Sequence, residues 1–268
     1  MENLSFEHIE NLRKVMGTLP SEKPKKKTKI LSLNESIEVT LEDCSENPYK
    51  AMFVTATSTW GDNDFVQKWP ITSPEGKLEV IKAVLTHNTL PQAKEMAQFV
   101  FRVKGVPRWL FDHHTQAVQF ISFMSIGCRD NNKIDADIVK TEFFDDSEIF
   151  SELKNLYEQA LTDNQGSWQT ARAFLPQSYS HSYHFGQNLL SIVGTNGFHA
   201  MNRFTNDCKG DMLSILYRNV QNEVHKKFPL IALYLEILWE SNDDVFNCIR
   251  NLTIDKINKK DLNLFNKI

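Results

Sequence analysis

Phe99, Phe101 and Val103 alternate with Val100, Arg102 and Lys104. A period of two that leaves one side apolar is the mark of a strand with one buried face. Farther along, Ile149, Phe150, Leu153, Leu156, Tyr157, Ala160 and Leu161 recur at three and four residues, as do Met212, Leu213, Ile215, Leu216, Val220 and Val224. That is helical spacing. A chain carrying both periods buries its apolar strand faces beneath its amphipathic helices. The fold class expected is therefore α+β: a single domain, a sheet packed against long helices, and a helical C-terminal half.

Leu78, Val80, Ile81, Val84 and Leu85 predict a helix over 77–87, and Ser147 is placed to cap the helix that follows it. Leu31, Leu33, Ile37 and Val39 predict two short strands around Asn34, as a hairpin or meander. Residues 47–60 begin at a helix-compatible Asn-Pro and run into a β-branched segment, while Gly105-Val-Pro reads as the end of the strand before it. Trp109, Leu110, His113, Ala117, Phe120 and Ile121 share a side of a helix from 108 to about 121, with a loop expected from Ser122. Another helix is expected over roughly 167–175, and one from Asp211 stops before Pro229, with two shorter helices closing the chain.

Ahead of this body, Leu4, Ile9, Leu12, Val15 and Met16 fit a short amphipathic helix ending before Pro20. Residues 21–29 form a lysine-rich run without large apolar residues, which reads as solvated linker. The domain reading is thus 1–28 for the N-terminal helix and basic linker and 29–268 for the folded domain. A net charge of -4 over 268 residues argues against a nucleic-acid-binding surface. Cys44, Cys128, Cys208 and Cys248 form no C-x-x-C pair, so neither zinc nor a disulfide framework is suggested. The acidic start lacks signal-peptide character and no apolar run approaches the roughly 18 residues of a membrane span, so a cytoplasmic protein is expected.

No Gly-rich phosphate loop, H-E-x-x-H or G-x-S-x-G is present. Cys128 reads as a small inert residue rather than a nucleophile. Neither His113-His114 nor His181 with His184 has an evident third ligand, so no metal is expected there.

Three stretches taken together resemble the flavin-dependent thymidylate synthases. Phe99-Val-Phe-Arg-Val-Lys-Gly-Val-Pro leads through a helix to Ser122-Phe123-Met-Ser-Ile-Gly127-Cys128-Arg129. It resembles the family's approach to R-H-R-x7-S, whose end commonly reads S-[FY]-x-x-x-S-x-R-Y; Ser122, Phe123 and Arg129 match in register. Ala171-Arg172-Ala-Phe-Leu175-Pro176 is similar to the family's A-R-x-x-L-P, and Asn188 and Arg203 to its N-x-R...L-R stretch. Tyr49-Lys-Ala-Met-Phe-Val-Thr is similar to R-A-A-R-V-S, so the likeness covers roughly residues 45–230.

The resemblance implies transfer of a one-carbon unit from a reduced folate (methylenetetrahydrofolate) to C5 of a pyrimidine deoxynucleotide monophosphate, dUMP or a variant of it. FAD would carry the hydride, NADPH would serve as co-substrate, and a homotetramer would form the sites between subunits. Arg129 and Arg172 would hold phosphate and sugar, a task suited to guanidinium. Arg203 would lie against the pyrimidine carbonyl as the polarising, catalytic group. Ser122, Ser125, Gly127, Cys128 and His114 complete the implied substrate side, and Gln119, Asn188 and His113 the cofactor side.

The departures fall on the flavin side. R-H-R becomes Ala117-Val118-Gln119, the serine of x7-S becomes Gly127, and the glutamine before R-H-R becomes His114. The final Q-x-E-I-R stretch becomes Lys209-Gly-Asp-Met-Leu. His113, His114 and Gln119 are the substitutes the sequence offers, with Arg108 and Lys104 supplying charge. The alternative is a nucleotide-binding relative, a sensor or regulatory subunit, without flavin chemistry.

Overall fold

The computed structural model describes residues 29–59, 65–86, 91–117, 121–125, 133–140, 147–163, 168–193, 212–240, 251–253 and 255. The expected N-terminal helix and linker lie outside the described residues. In chain order the strands are β1 (Ile30–Ser32), β2 (Glu38–Cys44), β3 (Gln98–Pro107), β4 (Ile121–Ser125), β5 (Ile138–Lys140) and β6 (Ser180–Asn188). The helices are α1 (Leu33–Ser36), α2 (Pro48–Ser58), α3 (Phe65–Ile71), α4 (Pro74–Leu85) and α5 (Arg108–Ala117). They continue as α6 (Ser147–Asp163), α7 (Trp168–Ala171), α8 (Leu189–Val193), α9 (Met212–Lys227) and α10 (Pro229–Glu240). Short 3-10 turns occupy Pro91–Met96 and Arg172–Phe174.

An antiparallel sheet in the order β2-β3-β6-β4 carries the structure. Its inner face presents Val39, Leu41, Phe99, Phe101, Val103, Tyr183 and Phe185, buried beneath Leu213, Leu216, Tyr217, Val220 and Val224 of α9. The rings of Phe101 and Phe185 stack at 5.1 Å between centroids. Beyond α9, α10 adds Ile231 and Leu235, and α2 and α4 extend the same core through Met52, Phe53, Ile81 and Val84. Smaller clusters gather Tyr157, Ala160, Leu161 and Ala171, and Ile138, Phe150 and Tyr179, joining α6 and α7 to β5.

The alternation at 99–103 and the three long helical periods are realised, and the α+β class is the one observed. Several local expectations are not. The hairpin at 29–40 does not form: β1 pairs in parallel with β5, Ile30 opposite Ile138, and the Lys29 N–H donates to Asp137 Oδ1 at 3.0 Å. Between β1 and β2, the Glu35 carboxylate accepts from the Ser32 N–H and hydroxyl, at 3.1 and 2.6 Å, and holds a helical turn. The β-branched stretch after Asn47 stays helical to Ser58, because Tyr49, Met52, Phe53 and Ala56 form one buried face at helical spacing, and the hydroxyls of Thr55, Thr57 and Ser58 find acceptors in carbonyls one turn back.

Gly105 does not end its strand. It sits at φ 74 where the β3–β6 register shifts between Val103 and Val106, and β3 runs on to Pro107. Such a bulge needs a positive φ that glycine adopts freely. The helix before Ser122 is described over Arg108–Ala117, with Leu110, Phe111 and His114 buried rather than His113, and Ile121 and the start of the expected loop from Ser122 belong to strand β4. The largest departure is β6, an inner strand of the sheet in a half of the chain expected to be helical.

Candidate functional site

The outer face of the sheet is largely polar. Register places Val100, Gly186 and Ser122 in one row across β3, β6 and β4, and Thr40, Arg102, His184 and Met124 in the next. Met124 is 74% exposed, and a side chain added at Gly186 would meet nothing within 4 Å. The face is therefore open at Gly186. Polar and charged residues border it: Arg102 Nε lies 2.8 Å from Glu42 Oε1, His184 Nε2 lies 3.4 Å from Glu42 Oε2, and Lys104 lies 3.8 Å from Glu38.

Ser122 and Ser125 belong to opposite faces, as residues three apart on a strand must. Ser122 is exposed beside Gly186, whereas Ser125 pairs with Tyr183 on the core side. Asn188 ends β6 on the same face as Gly186, and its Oδ1 accepts the Ser191 N–H at 2.6 Å, capping α8. His113 is exposed on α5, and Arg172 is exposed in the 3-10 turn after α7, which packs against α6 rather than against the sheet. Gln119, Gly127, Cys128, Arg129 and Arg203 lie outside the described residues.

His114 has no exposed surface. Its Nδ1 lies 2.9 Å from the Tyr183 hydroxyl and its Nε2 lies 3.0 Å from that of Tyr217. Tyr217 gives its one proton to Gln187 Oε1 at 3.3 Å, so Nε2 of His114 carries the hydrogen and Nδ1 accepts from Tyr183. Gln187 Nε2 then donates to Ser191 Oγ at 3.1 Å. Both ring nitrogens are thus occupied inside the core, and in this packing His114 is a polar tie between α5, β6 and α9 with no nitrogen left for a nucleotide. Burial, reinforced by His113, pushes its pKa down to about 3. Burial also holds both tyrosine hydroxyls well above their ordinary range.

His181 and His184 point to opposite faces of β6 and do not converge. His181 is 1% exposed, at the end of the inner face, and neither ring nitrogen has a hydrogen-bond partner among the described residues. Burial first, then the positive charges of Arg108 and Lys133, lower its pKa to about 4 against the opposing pull of Asp112. Sequence reasoning took His181 only as half of a metal pair. The signal that could have placed it was the inward alternation His181, Tyr183, Phe185, Gln187.

Two histidines held neutral inside the fold make stability depend on acid. Both take up a proton more readily when unfolded, so the unfolded state binds more protons below about pH 6.5 and stability falls with pH. The loss should begin near that pH and continue until about 4 for His181 and about 3 for His114. Its slope is on the order of 1 kcal/mol per pH unit per histidine. Urea unfolding at a series of pH values checks this, and a flat profile between pH 6.5 and 4.5 would contradict it.

A cleft of about 410 Å³ opens elsewhere, lined by Lys50, Ala51, Val54 and Thr55 of α2 together with Asn47, Val66 and Met96. The same helix turns Tyr49, Met52 and Phe53 into the core.

No family model matches the sequence, and no curated protein is similar to it. Solved structures do share its fold. A UMP/dUMP methylase, PolB from Streptomyces cacaoi, bound with 5-Br dUMP, superposes with a TM-score of 0.60 at 13% identity over 78% of this chain and 97% of its own. The same enzyme bound with 5-Br UMP gives 0.55 at 12% identity, covering 80% and 98%. Thymidylate synthase X from Helicobacter pylori, with FAD and dUMP, gives 0.55 at 13% identity, covering 78% and 99%. The α+β architecture of this chain is that of thymidylate synthase X.

Proposed function

We propose that this chain binds a pyrimidine nucleotide monophosphate and transfers a one-carbon unit from a reduced folate to C5 of its base. The observation that carries the reading is the fold. Nearly the whole length of two kinds of nucleotide-modifying enzyme, each with a pyrimidine monophosphate bound, superposes on residues of this chain. The motif residues Arg172, Arg129 and Arg203 are the cations that would meet the phosphate and the base. Substrate would be dUMP, or UMP as in the methylase, and the working unit a homotetramer.

A flavin fits the described residues in part. The open position at Gly186, with Ser122 beside it and Asn188 on the same face, offers a floor with polar edges that a planar ring could cover. Asn188 caps α8 through its oxygen, so its amide nitrogen is the group that would donate to a ligand. The diphosphate side fits less well: Ala117-Val118-Gln119 supply no cation, and the nearby Arg102 and Lys104 are already opposite Glu42 and Glu38. Bound FAD would supply hydride transfer, with NADPH as the reductant. The chain's own part would be to hold the nucleotide's phosphate and polarise its base in a site shielded from water.

The weak diphosphate side favours a second reading, a nucleotide-binding relative that has lost flavin chemistry. Purified protein separates the two. The enzyme reading expects a yellow preparation absorbing near roughly 450 nm that oxidises NADPH when dUMP and folate are added. Arg172→Ala should then weaken dUMP binding by about 2 kcal/mol, as loss of a charge-assisted hydrogen bond does. A colourless protein that takes up no FAD but binds dUMP would leave the second reading; titration calorimetry showing no affinity for dUMP or UMP ends both.

A further inference from the structure

Native proteins seldom bury a polar side chain without a partner, and a histidine with both nitrogens orphaned calls for an explanation such as a ligand. His181 is that case, at 1% exposure and with neither nitrogen bonded among the described residues. Three aromatic rings enclose it, with centroids at 4.9 Å for Phe111, 6.0 Å for Tyr179 and 6.2 Å for Tyr183. None of these rings has offered it a hydrogen bond.

Its place in the sheet is a rim. β4 pairs with β6 from Ile121 opposite Gln187 to Ser125 opposite Tyr183, and His181 lies two residues beyond that last pair. On the other side, β3 reaches it only after the bulge, through Val106. Charge around the ring is positive on balance: Arg108 and Lys133 both act on it, against one carboxylate, Asp112. Arg108 is fixed where it stands. It pairs with Asp112 at 2.8 Å and lies 4.7 Å over the Phe111 ring, which also packs on His181. Lys133 is anchored through its backbone N–H, which donates to the Tyr157 hydroxyl at 3.2 Å.

We propose that His181, flanked by Arg108 and Lys133, forms a subsite for a phosphate group at the rim of the inner sheet face. Two cations against one carboxylate repel a metal ion and attract an oxyanion. A neutral imidazole offers one donor; protonated, it offers two. Arrival of the anion favours the protonated ring, so binding takes up a proton from solvent and strengthens as pH falls toward 5. The groups that set this balance are Arg108 and Asp112 on α5 and Lys133 before β5. Ser125, implied as a nucleotide contact, shares the inner face with His181. The phosphate is that of a bound nucleotide or a free phosphate ion, and the inference holds for either, so it goes beyond the nucleotide reading and does not require it.

The test uses full-length protein labelled with ¹⁵N-histidine, titrated at about pH 5 with inorganic phosphate, dUMP or deoxyuridine, where a ring whose pKa lies at about 4 is still mostly neutral and a rise in that pKa protonates it. Phosphate or dUMP, but not deoxyuridine, should shift the His181 ring nitrogens toward the protonated position and raise its apparent pKa by one unit or more. His181→Phe should weaken phosphate binding at least tenfold. Without phosphate it should unfold no earlier than the unmodified protein, since an orphaned polar group has been replaced by an apolar ring. His181→Gln serves if that variant fails to fold. A His181 signal indifferent to phosphate and dUMP, or unchanged affinity in the variant, overturns the subsite. A shift with phosphate in a protein that has no affinity for dUMP keeps the subsite and removes the nucleotide reading. Binding of dUMP that leaves His181 unmoved does the reverse.

Discussion

Gly105→Val will destabilise the protein by about 4 kcal/mol or more and leave little of it folded at 37 °C, the range reached when backbone strain and overpacking coincide. A Cβ at this position would lie 1.8 Å from the Ser36 carbonyl oxygen and 2.6 Å from its carbon. Ordinary C···O contacts are about 3.3 Å or longer. The obstacle is backbone of α1, which no rotamer change can move. The residue also sits at φ 74, where a β-branched side chain is strained whatever the space. Gly186→Ala is the matched control: on the open face, with nothing within 4 Å, it should change stability by less than about 0.5 kcal/mol. Guanidinium unfolding of both variants measures the contrast, and equal midpoints would show that the β3 bulge does not press on α1.

His114→Ala should cost about 4 kcal/mol. Removing a fully buried ring leaves a cavity lined by Phe123, Phe185, Tyr183 and Tyr217, whose ring centroids all lie within 6 Å of it. It also strands the buried Tyr183 hydroxyl and leaves that of Tyr217 with only its bond to Gln187. His114→Phe, which refills most of the volume, should recover about half, because the Tyr183 hydroxyl stays unpaired and that of Tyr217 loses one of its two partners. Urea denaturation gives both values. A loss under about 1 kcal/mol for the alanine variant would mean that water or a shifted side chain takes the ring's place.

The long helices were legible because each keeps a continuous apolar stripe: Leu213, Leu216, Val220 and Val224 need no context to be read. The strand at 99–103 was legible because Phe and Val alternate with charge. β6 was not, since its inward positions are His181, Tyr183, Phe185 and Gln187, polar at both ends, and its outward positions include the small Gly186. Hydropathy cannot register a polar residue buried by a partner from another part of the chain, as Gln187 is by Tyr217. β1 failed for a related reason, its pairing partner lying more than a hundred residues away in β5. For the site, the motif match brought Ser122 and Asn188 to one face. It grouped them with His114 and Ser125, which the strand and helix periods turn the other way.

Because β6 lies between β3 and β4, the sheet has its middle made last. While the chain is being synthesised, β3 and β4 emerge with no strand to join them until residue 188 has followed. Both would then expose unpaired edges, and β3 is rich in aromatic and branched residues. Assembly thus waits on contacts distant in sequence, which slows folding relative to a helical bundle of equal size. Release of the chain before β6 would leave β3 and β4 without the strand that joins them, so the sheet can close only after elongation has passed residue 188.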